Sequence, residues 1–282
     1  MITGTTRLAA VIGTPVRHSL SPAILNAAFT AAGEDWAFVA LEVPAGQGGA
    51  AVAAVRTLGL GGLSVTMPHK AAAHDAVEER TPEAADLGAV NCVFVRDDRL
   101  VGDNTDGPGF LDALREDPGI EVTGLRCAVV GAGGAGRAVI RALGAAGAAD
   151  VAVLARRPEP ARRAAPLAGA AGRVGSPDDV AAADLVVNAT SLGMGLGGPR
   201  EPLPVDPAAL HPGQVVADLV YHPEVTPLIA AARDQGVRAV NGLGMLVHQA
   251  AHAFVRWTGG DPPIGAMSAA ARAALATQSD VD

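Results

Sequence analysis

Arg126-Cys127-Ala128-Val129-Val130-Gly131-Ala132-Gly133-Gly134-Ala135-Gly136 is the stretch that decides the fold. The apolar run Arg126–Val130 reads as a strand, and Gly131-x-Gly133-x-x-Gly136 leads straight into a helix expected over Ala135–Ala146. Strand, glycine turn and helix in that order open a Rossmann-like α/β unit that holds a dinucleotide. Gly131 permits the tight turn, Gly133 lets backbone approach a pyrophosphate, and Gly136 allows close helix–strand packing. Amides at the helix start, around Gly134 and Ala135, would then hold phosphate oxygens. Glycine is frequent here, at 35 residues, so a plain turn competes with this reading. The position between strand and helix favours the phosphate turn.

Toward the C terminus the alternation continues. Asp150–Leu154, Leu185–Asn188, Val215–Asp218 and Arg238–Val240 read as strands, and Met245–Trp257 and Met267–Ala276 as closing helices. Pro158-Glu159-Pro160 and Gly197-Gly198-Pro199 read as surface loops. The cofactor is chosen after the second strand, roughly 20 residues past the glycines, where NAD proteins place a carboxylate on the ribose 2′-hydroxyl. This chain has Leu154-Ala155-Arg156-Arg157 there and no carboxylate before Glu159. Arg156 and Arg157 suit a 2′-phosphate through charge-assisted bonds and stacking on adenine. The expected cofactor is NADP (NADPH).

A second alternating region precedes the glycine turn. Leu8–Ile12, Ala37–Val43 and Leu63–Thr66 read as strands. One helix opens at Pro22 with Ser21 as its cap, another spans Ala50–Leu58, and a third opens at Pro68. Val90–Val95 and Leu100–Val101 flank Arg96-Asp97-Asp98-Arg99 as strand, turn and strand. A helix from Asp106 to Arg115 is the expected crossing into the dinucleotide unit. The fold class is thus α/β in two domains. Residues 1–105 would bind substrate, 106–244 would bind the dinucleotide, and the helices of 245–282 would return to the first domain, with the active site in the cleft.

The bulk numbers agree with a packed globular protein. The chain has 282 residues, 49% hydrophobic and 18% charged, which is core material rather than disorder. Aromatics make up only 3%, so Ala, Val and Leu must fill most of the interior. A net charge of −8 disfavours nucleic acid and makes each well-placed cation informative. Cys92 and Cys127, the only cysteines, read as buried reduced thiols. His248 and His252 stand four apart, but Gln249-Ala250-Ala251 between them lacks a metalloprotease glutamate, so no metal is expected. Neither a leader pattern nor an uncharged membrane-length run is present, so the expected setting is cytoplasmic, without a membrane partner. Oligomeric state is not readable, and a homodimer is the assembly to test.

Two motifs carry side chains for proton transfer. Val65-Thr66-Met67-Pro68-His69-Lys70 puts a lysine just inside the helix opened by Pro68. Gly102-Asp103-Asn104-Thr105-Asp106-Gly107 puts an aspartate at another helix start. Hydride transfer to a ketone needs a proton donor for the developing alkoxide, and the reverse reaction needs a base. Singly, Lys70 reads as a surface lysine and Asp106 as a helix cap. With a dinucleotide site downstream, they read as an acid/base pair.

Further motifs fall in the same order. Gly13-Thr14-Pro15-Val16-Arg17-His18-Ser19-Leu20-Ser21-Pro22, Ser64–Lys70, Ala89-Val90-Asn91 and Asn104–Gly107 precede the glycine turn. Asn188–Met194, Asp218–Pro223 and Asn241–Gln249 follow it. Together they resemble the shikimate dehydrogenase family over nearly the whole chain. The resemblance implies an NADP-dependent oxidoreductase that reversibly reduces 3-dehydroshikimate to shikimate in chorismate and aromatic amino-acid biosynthesis. It implies Lys70 and Asp106 as the catalytic pair, Ser19 and Ser21 on the substrate carboxylate, and Thr66, Asn91 and Gln249 on the hydroxyls. Ser64 and Tyr221 would sit beside the substrate. The glycine turn, Arg156, Thr190, Met194 and Gly242 would contact the cofactor.

The chain departs from the family pattern at three places. Ser64 stands where Asn is usual, Ala155 and Arg157 replace Asn and Thr around Arg156, and Pro160 takes the place of a basic residue. Two other readings share these motifs: an NAD-linked quinate or aminoshikimate dehydrogenase, and a non-catalytic dinucleotide sensor. Lys70 and Asp106 argue against the sensor, since binding alone needs neither.

Overall fold

The computed structural model describes residues 2–194 and 202–279, without the side chains of 278 and 279, so the expected loop Gly197-Gly198-Pro199 lies outside the described residues. The first run of elements is β1 (Arg7–Gly13), α1 (Ser21–Ala32), β2 (Trp36–Glu42), α2 (Gly48–Thr57), β3 (Gly62–Val65), α3 (Lys70–Ala76), β4 (Glu79–Arg80), α4 (Pro82–Leu87), β5 (Cys92–Arg96) and β6 (Arg99–Asp103). The second is α5 (Asp106–Glu116), β7 (Arg126–Val130), α6 (Gly134–Ala145), β8 (Asp150–Leu154), α7 (Pro158–Ala164), β9 (Gly172–Val174), α8 (Asp178–Ala182), β10 (Leu185–Asn188), β11 (Val215–Asp218), α9 (Pro227–Asp234) and β12 (Arg238–Val240). Then come α10 (Leu243–Thr258) and α11 (Ile264–Ser279). This α/β chain divides into two compact units, Met1–Thr105 with Leu246–Asp282, and Asp106–Met245.

The first unit holds a mixed sheet ordered β2-β1-β3-β5-β6-β4 among the described residues. β2, β1 and β3 run parallel, whereas β5 is antiparallel to both β3 and β6. Ala10, Ile12, Leu63, Val65 and Val93 pack with Val52 and Val55 of α2 and Ala73 of α3. Most of the chain's scarce aromatic rings gather elsewhere in this unit. Phe29 stacks on Trp36 and meets Phe254 of α10, while Phe38 stacks on Trp257. Trp257 Nε1 donates to the Val93 carbonyl at 3.1 Å, and a Cβ at position 62 would stand 2.3 Å from the Trp257 ring, so only glycine fits there. Each buried large ring stabilises the unit by roughly 1.5–3 kcal/mol, enough to bind α10 to it.

The second unit is a wholly parallel sheet ordered β12-β11-β10-β7-β8-β9 among the described residues. Parallel sheets need both faces covered. On one face Val129, Val153 and Val187 pack with Phe110 and Leu114 of α5 and Ile140 and Leu143 of α6. On the other, Ala128, Val186 and Val216 pack with Val180 of α8 and Leu228 and Ile229 of α9.

Three local readings are corrected. Ser21 is not the cap of α1: Leu20 takes the N-cap position and Ser21 is the first helical residue, because the helical ladder starts at the Leu20 carbonyl, which accepts from the Ile24 N–H at 3.1 Å. Pro68 does not open α3. The His69 N–H donates to the Thr66 carbonyl at 3.0 Å, closing a turn that contains Pro68, and the helix begins at Lys70. Pro158-Glu159-Pro160 is not a loop but the first turn of α7. A proline's missing N–H is harmless there, and Glu159 faces Arg163 one turn on at 3.8 Å. The cysteines are buried and free, and burial pushes both thiols up, Cys127 to about 12.

Candidate active site

In the first unit the candidate side chains line one edge of the sheet. Ile12 of β1 lies in register with Val65 of β3, whose N–H donates to the Asn91 carbonyl at 2.8 Å. The Asn91 N–H in turn donates to the Asp103 carbonyl at 3.0 Å. Thr66, Asn91 and Thr105 therefore follow one another along this edge. Ser64 sits inside β3, opposite Cys92. Gly13 is required beside Thr66, since a Cβ there would stand 2.5 Å from the Thr66 methyl.

Half-buried Lys70 begins α3, and its carbonyl accepts from the Val90 N–H at 2.9 Å, tying the helix start to the segment that leads through Asn91 into β5. His69 beside it is buried, and its Nε2 donates to the Val43 carbonyl at 2.8 Å. Asn91 is only 4% exposed, and its Oδ1 accepts from the Thr105 N–H at 2.8 Å and the Thr105 hydroxyl at 3.3 Å. Thr105 thus orients the Asn91 amide. Sequence reading missed this role, although Thr105 stands inside a quoted motif.

Next to that pair in sequence is an ion pair that sequence reading also missed, between buried Asp103 and exposed Arg256. Asp103 Oδ1 accepts from the Thr81 hydroxyl and the Asn104 N–H, both at 2.7 Å, and Oδ2 accepts from Arg256 Nε at 2.8 Å. The pair ties the end of β6 to α4 and α10. Gln249, also on α10, donates through Nε2 to the Leu246 carbonyl at 2.8 Å, so its amide folds onto its own helix. Ser19 lies between β1 and α1, and Ser21 is the first residue of α1, which no side chain caps.

In the second unit the candidates follow the carboxyl ends of the strands. Sheet order places Arg156 and Arg157 after β8, the glycine turn after β7, Thr190 and Met194 after β10, Tyr221 after β11 and Gly242 after β12. A dinucleotide lies across such an edge with its pyrophosphate at the first helix N-terminus. The glycines fit that group. Gly131 has φ +112°, and a Cβ there would meet the Ala189 backbone at 2.7 Å. At Gly136 it would stand 2.1 Å from the Gly131 carbonyl oxygen, and at Gly242 2.0 Å from that of Leu219.

Gly133 and Gly134 have nothing within 4 Å of such an atom, which leaves open room beside them. No side chain caps α6 at Gly133, so its first-turn amides, including that of Ala135, lack a capping side chain. Arg156 and Arg157 are exposed. Tyr221 is half-buried, and burial pushes its phenol up, so at neutral pH it is a neutral hydrogen-bond donor. Asp106 is buried at the start of α5, where Gly107 lies so near α6 that a Cβ would stand 2.9 Å from the Ala138 carbonyl oxygen. Among the described residues no His, Cys, Asp or Glu side chains gather in threes as a metal site, and no helix is long and apolar enough to cross a membrane.

Comparison with known proteins identifies the family. Residues 11–93 match the family described as shikimate dehydrogenase substrate binding domain, residues 242–272 the shikimate 5′-dehydrogenase C-terminal domain, and residues 119–192 a putative NAD(P)-binding family. The chain is 43% identical to the NADP(+) shikimate dehydrogenase of Moorella thermoacetica, over 99% of this chain and 97% of that one. Identity to the enzyme of the same name from Citrifermentans bemidjiense is 45%, over 98% of each. Shikimate 5-dehydrogenase from Thermus thermophilus, solved with NADP(H) and shikimate, superposes with a TM-score of 0.88 at 38% identity, covering 95% of this chain and 100% of that one. Identity at this level extends over nearly the full length of the chain, and the chain belongs to the shikimate dehydrogenase family.

Proposed function

We propose that the chain catalyses the reversible, NADPH-dependent reduction of 3-dehydroshikimate to shikimate, a step of chorismate and aromatic amino-acid biosynthesis. The observation that carries this reading is the near-full-length identity to NADP(+) shikimate dehydrogenases, 43% over 99% of the chain in the Moorella enzyme. Neither the NAD-linked quinate or aminoshikimate reading nor the sensor reading is favoured. Met1–Thr105 with Leu246–Asp282 is the substrate domain of this proposal, and Asp106–Met245 the NADP domain.

Bound NADPH supplies the hydride for the ketone carbon. As the ketone oxygen gains charge, the Lys70 ammonium stabilises it and donates its proton; in the reverse direction the neutral amine accepts the hydroxyl proton. Asp106 accepts a hydrogen bond from a substrate hydroxyl and holds the ring in a reactive orientation. Ser19 and Ser21 donate to the carboxylate near the first amides of α1. Thr66, Asn91 and Gln249 take the ring hydroxyls, with Ser64 and Tyr221 beside them. Amides of the Gly131–Gly136 turn hold the pyrophosphate, and Arg156 and Arg157 hold the 2′-phosphate. Thr190, Met194 and Gly242 border the nicotinamide.

The setting of this reading is cytoplasmic, with small-molecule partners only, and sedimentation equilibrium distinguishes a homodimer from a monomer. Steady-state assays with shikimate and quinate, each with NADP and NAD, test the function. Shikimate with NADP should give the highest kcat/KM, and preference for quinate or NAD would refute it.

A further inference from the structure

Asn188 of β10 and Asp218 of β11 lie opposite each other in register, 0% and 1% exposed, and the reaction proposed above uses neither. Asn188 Nδ2 donates to Asp218 Oδ1 at 2.8 Å and to the Leu192 carbonyl at 3.2 Å. Asn188 Oδ1 accepts from the Thr190 N–H at 3.0 Å and the Thr190 hydroxyl at 2.7 Å. Asp218 Oδ1 also accepts from the Val220 N–H at 3.1 Å, and its Oδ2 from the Thr226 hydroxyl at 2.6 Å. Thr226, itself fully buried, caps α9 by accepting from the Ile229 N–H at 3.2 Å.

A buried carboxylate is costly unless its lone pairs are filled. Burial pushes the Asp218 carboxyl up, and hydrogen bonds from Thr226, Val220 and Asn188 oppose the push. Apolar packing often serves stability as well as a buried charge does. What the carboxylate does that a leucine could not is shape two loops at once. Through Asn188 it curls the segment that carries Thr190 and Met194. Through Val220 it folds the segment that leads to Tyr221.

We propose that Asp218 is a positioning residue that sets both loops at the nicotinamide end of the dinucleotide site before the ligand arrives, one through Asn188 and the other directly through the Val220 N–H. The proposal rests on reading this unit as the NADP domain. It predicts an effect confined to one end of the ligand, because Arg156 and the glycine turn follow β8 and β7, while these loops follow β10 and β11.

The test is equilibrium titration of the full chain with NADPH and with 2′,5′-ADP, which carries the 2′-phosphate end but no nicotinamide. Asp218→Ala and Asn188→Ala should each weaken NADPH about tenfold, the scale of one lost charge-assisted hydrogen bond, and leave 2′,5′-ADP within about twofold. The double variant should lose less than the two single losses combined, since both remove the Asn188–Asp218 bond. Asp218→Asn keeps an oxygen toward Asn188 and Val220 and should restore most of the NADPH affinity. If Asp218→Ala does not fold, the other two single variants still decide: Asn188→Ala must lose NADPH selectively and Asp218→Asn must not. Equal weakening of both ligands, additive losses or unchanged NADPH affinity would overturn the proposal. A wild-type chain that binds neither ligand would overturn the NADP reading and this proposal with it.

Discussion

The candidate substrate half in the first unit is made of side chains braced by other side chains: Thr105 orients Asn91, and Arg256 with Thr81 holds Asp103. The candidate phosphate half in the second is made largely of missing side chains. Gly131 and Gly136 have no room for a Cβ, and Gly133 and Gly134 leave room for a ligand. The two surfaces should therefore fail in opposite ways. One is damaged by taking atoms away, the other by adding them.

The largest effect belongs to the first kind. Lys70→Ala should depress turnover by roughly 10²–10⁴-fold, the range for acid–base assistance, while NADPH affinity by direct titration stays close to wild type. Turnover near normal would make Lys70 a binding residue only and would erase the contrast. Gly136→Ala is its counterpart, one methyl aimed at the Gly131 carbonyl. It should weaken NADPH by about 10–100-fold, the equivalent of roughly 1–3 kcal/mol of overpacking, with shikimate affinity little changed. An unaltered NADPH dissociation constant would show that the turn relaxes without consequence.

Arg156→Ala tests a place where the second unit does rely on a side chain. Losing a charge-assisted contact should raise the KM for NADP by about tenfold and leave that for NAD almost unmoved. Equal changes for both cofactors would remove Arg156 from 2′-phosphate recognition. The smallest effect is on stability. The Arg173 hydrogen bond, with help from the Ser176 amide, holds the Asp179 carboxyl down at about 2 against an ordinary 3.8. A depressed carboxyl contributes stability fully above its unfolded value, and that contribution fades as pH falls from 3.8 toward 2. Asp179→Asn should therefore lower Tm at neutral pH by up to about 2 °C and flatten its fall over that acid window. A steeper acid limb in the variant would contradict the assignment.

What could be read in the sequence follows the range of the interactions involved. The glycine turn depends on neighbours within a few residues, so its strand, turn and helix were all legible. Ser21 falls one position past the cap because the helical ladder starts at the Leu20 carbonyl, and a leucine at a cap carries no sequence signal. Pro158-Glu159-Pro160 reads as a surface loop in the sequence, although a proline is equally at home in a first helical turn. Thr81-Pro82 and Thr226-Pro227 gave clear start signals for α4 and α9, and both signals went unused. β4 and β9, with two and three residues, are too short for any periodicity to show. The braces of the site were hidden for a different reason. Asp103 with Arg256 and Asn188 with Asp218 meet only after distant strands and helices have been brought together, and no local pattern announces such partners.

The space beside Gly62 is filled by Trp257, a ring that the chain supplies close to its far end. During synthesis, Asp106–Met245 is complete before that ring has been made. Vectorial folding would then invert the order of the genetic text: the unit encoded in the middle is expected to mature first, and the unit encoded first has to wait. Protection of β7 and β10 amides before those of β1 and β3, read by hydrogen exchange on stalled nascent chains, would carry this signature, and the reverse order would deny it. The first hundred residues would meet the ribosome's surroundings with an unfilled interior, and the interval in which chaperones matter most would be set by how long translation takes to reach one tryptophan.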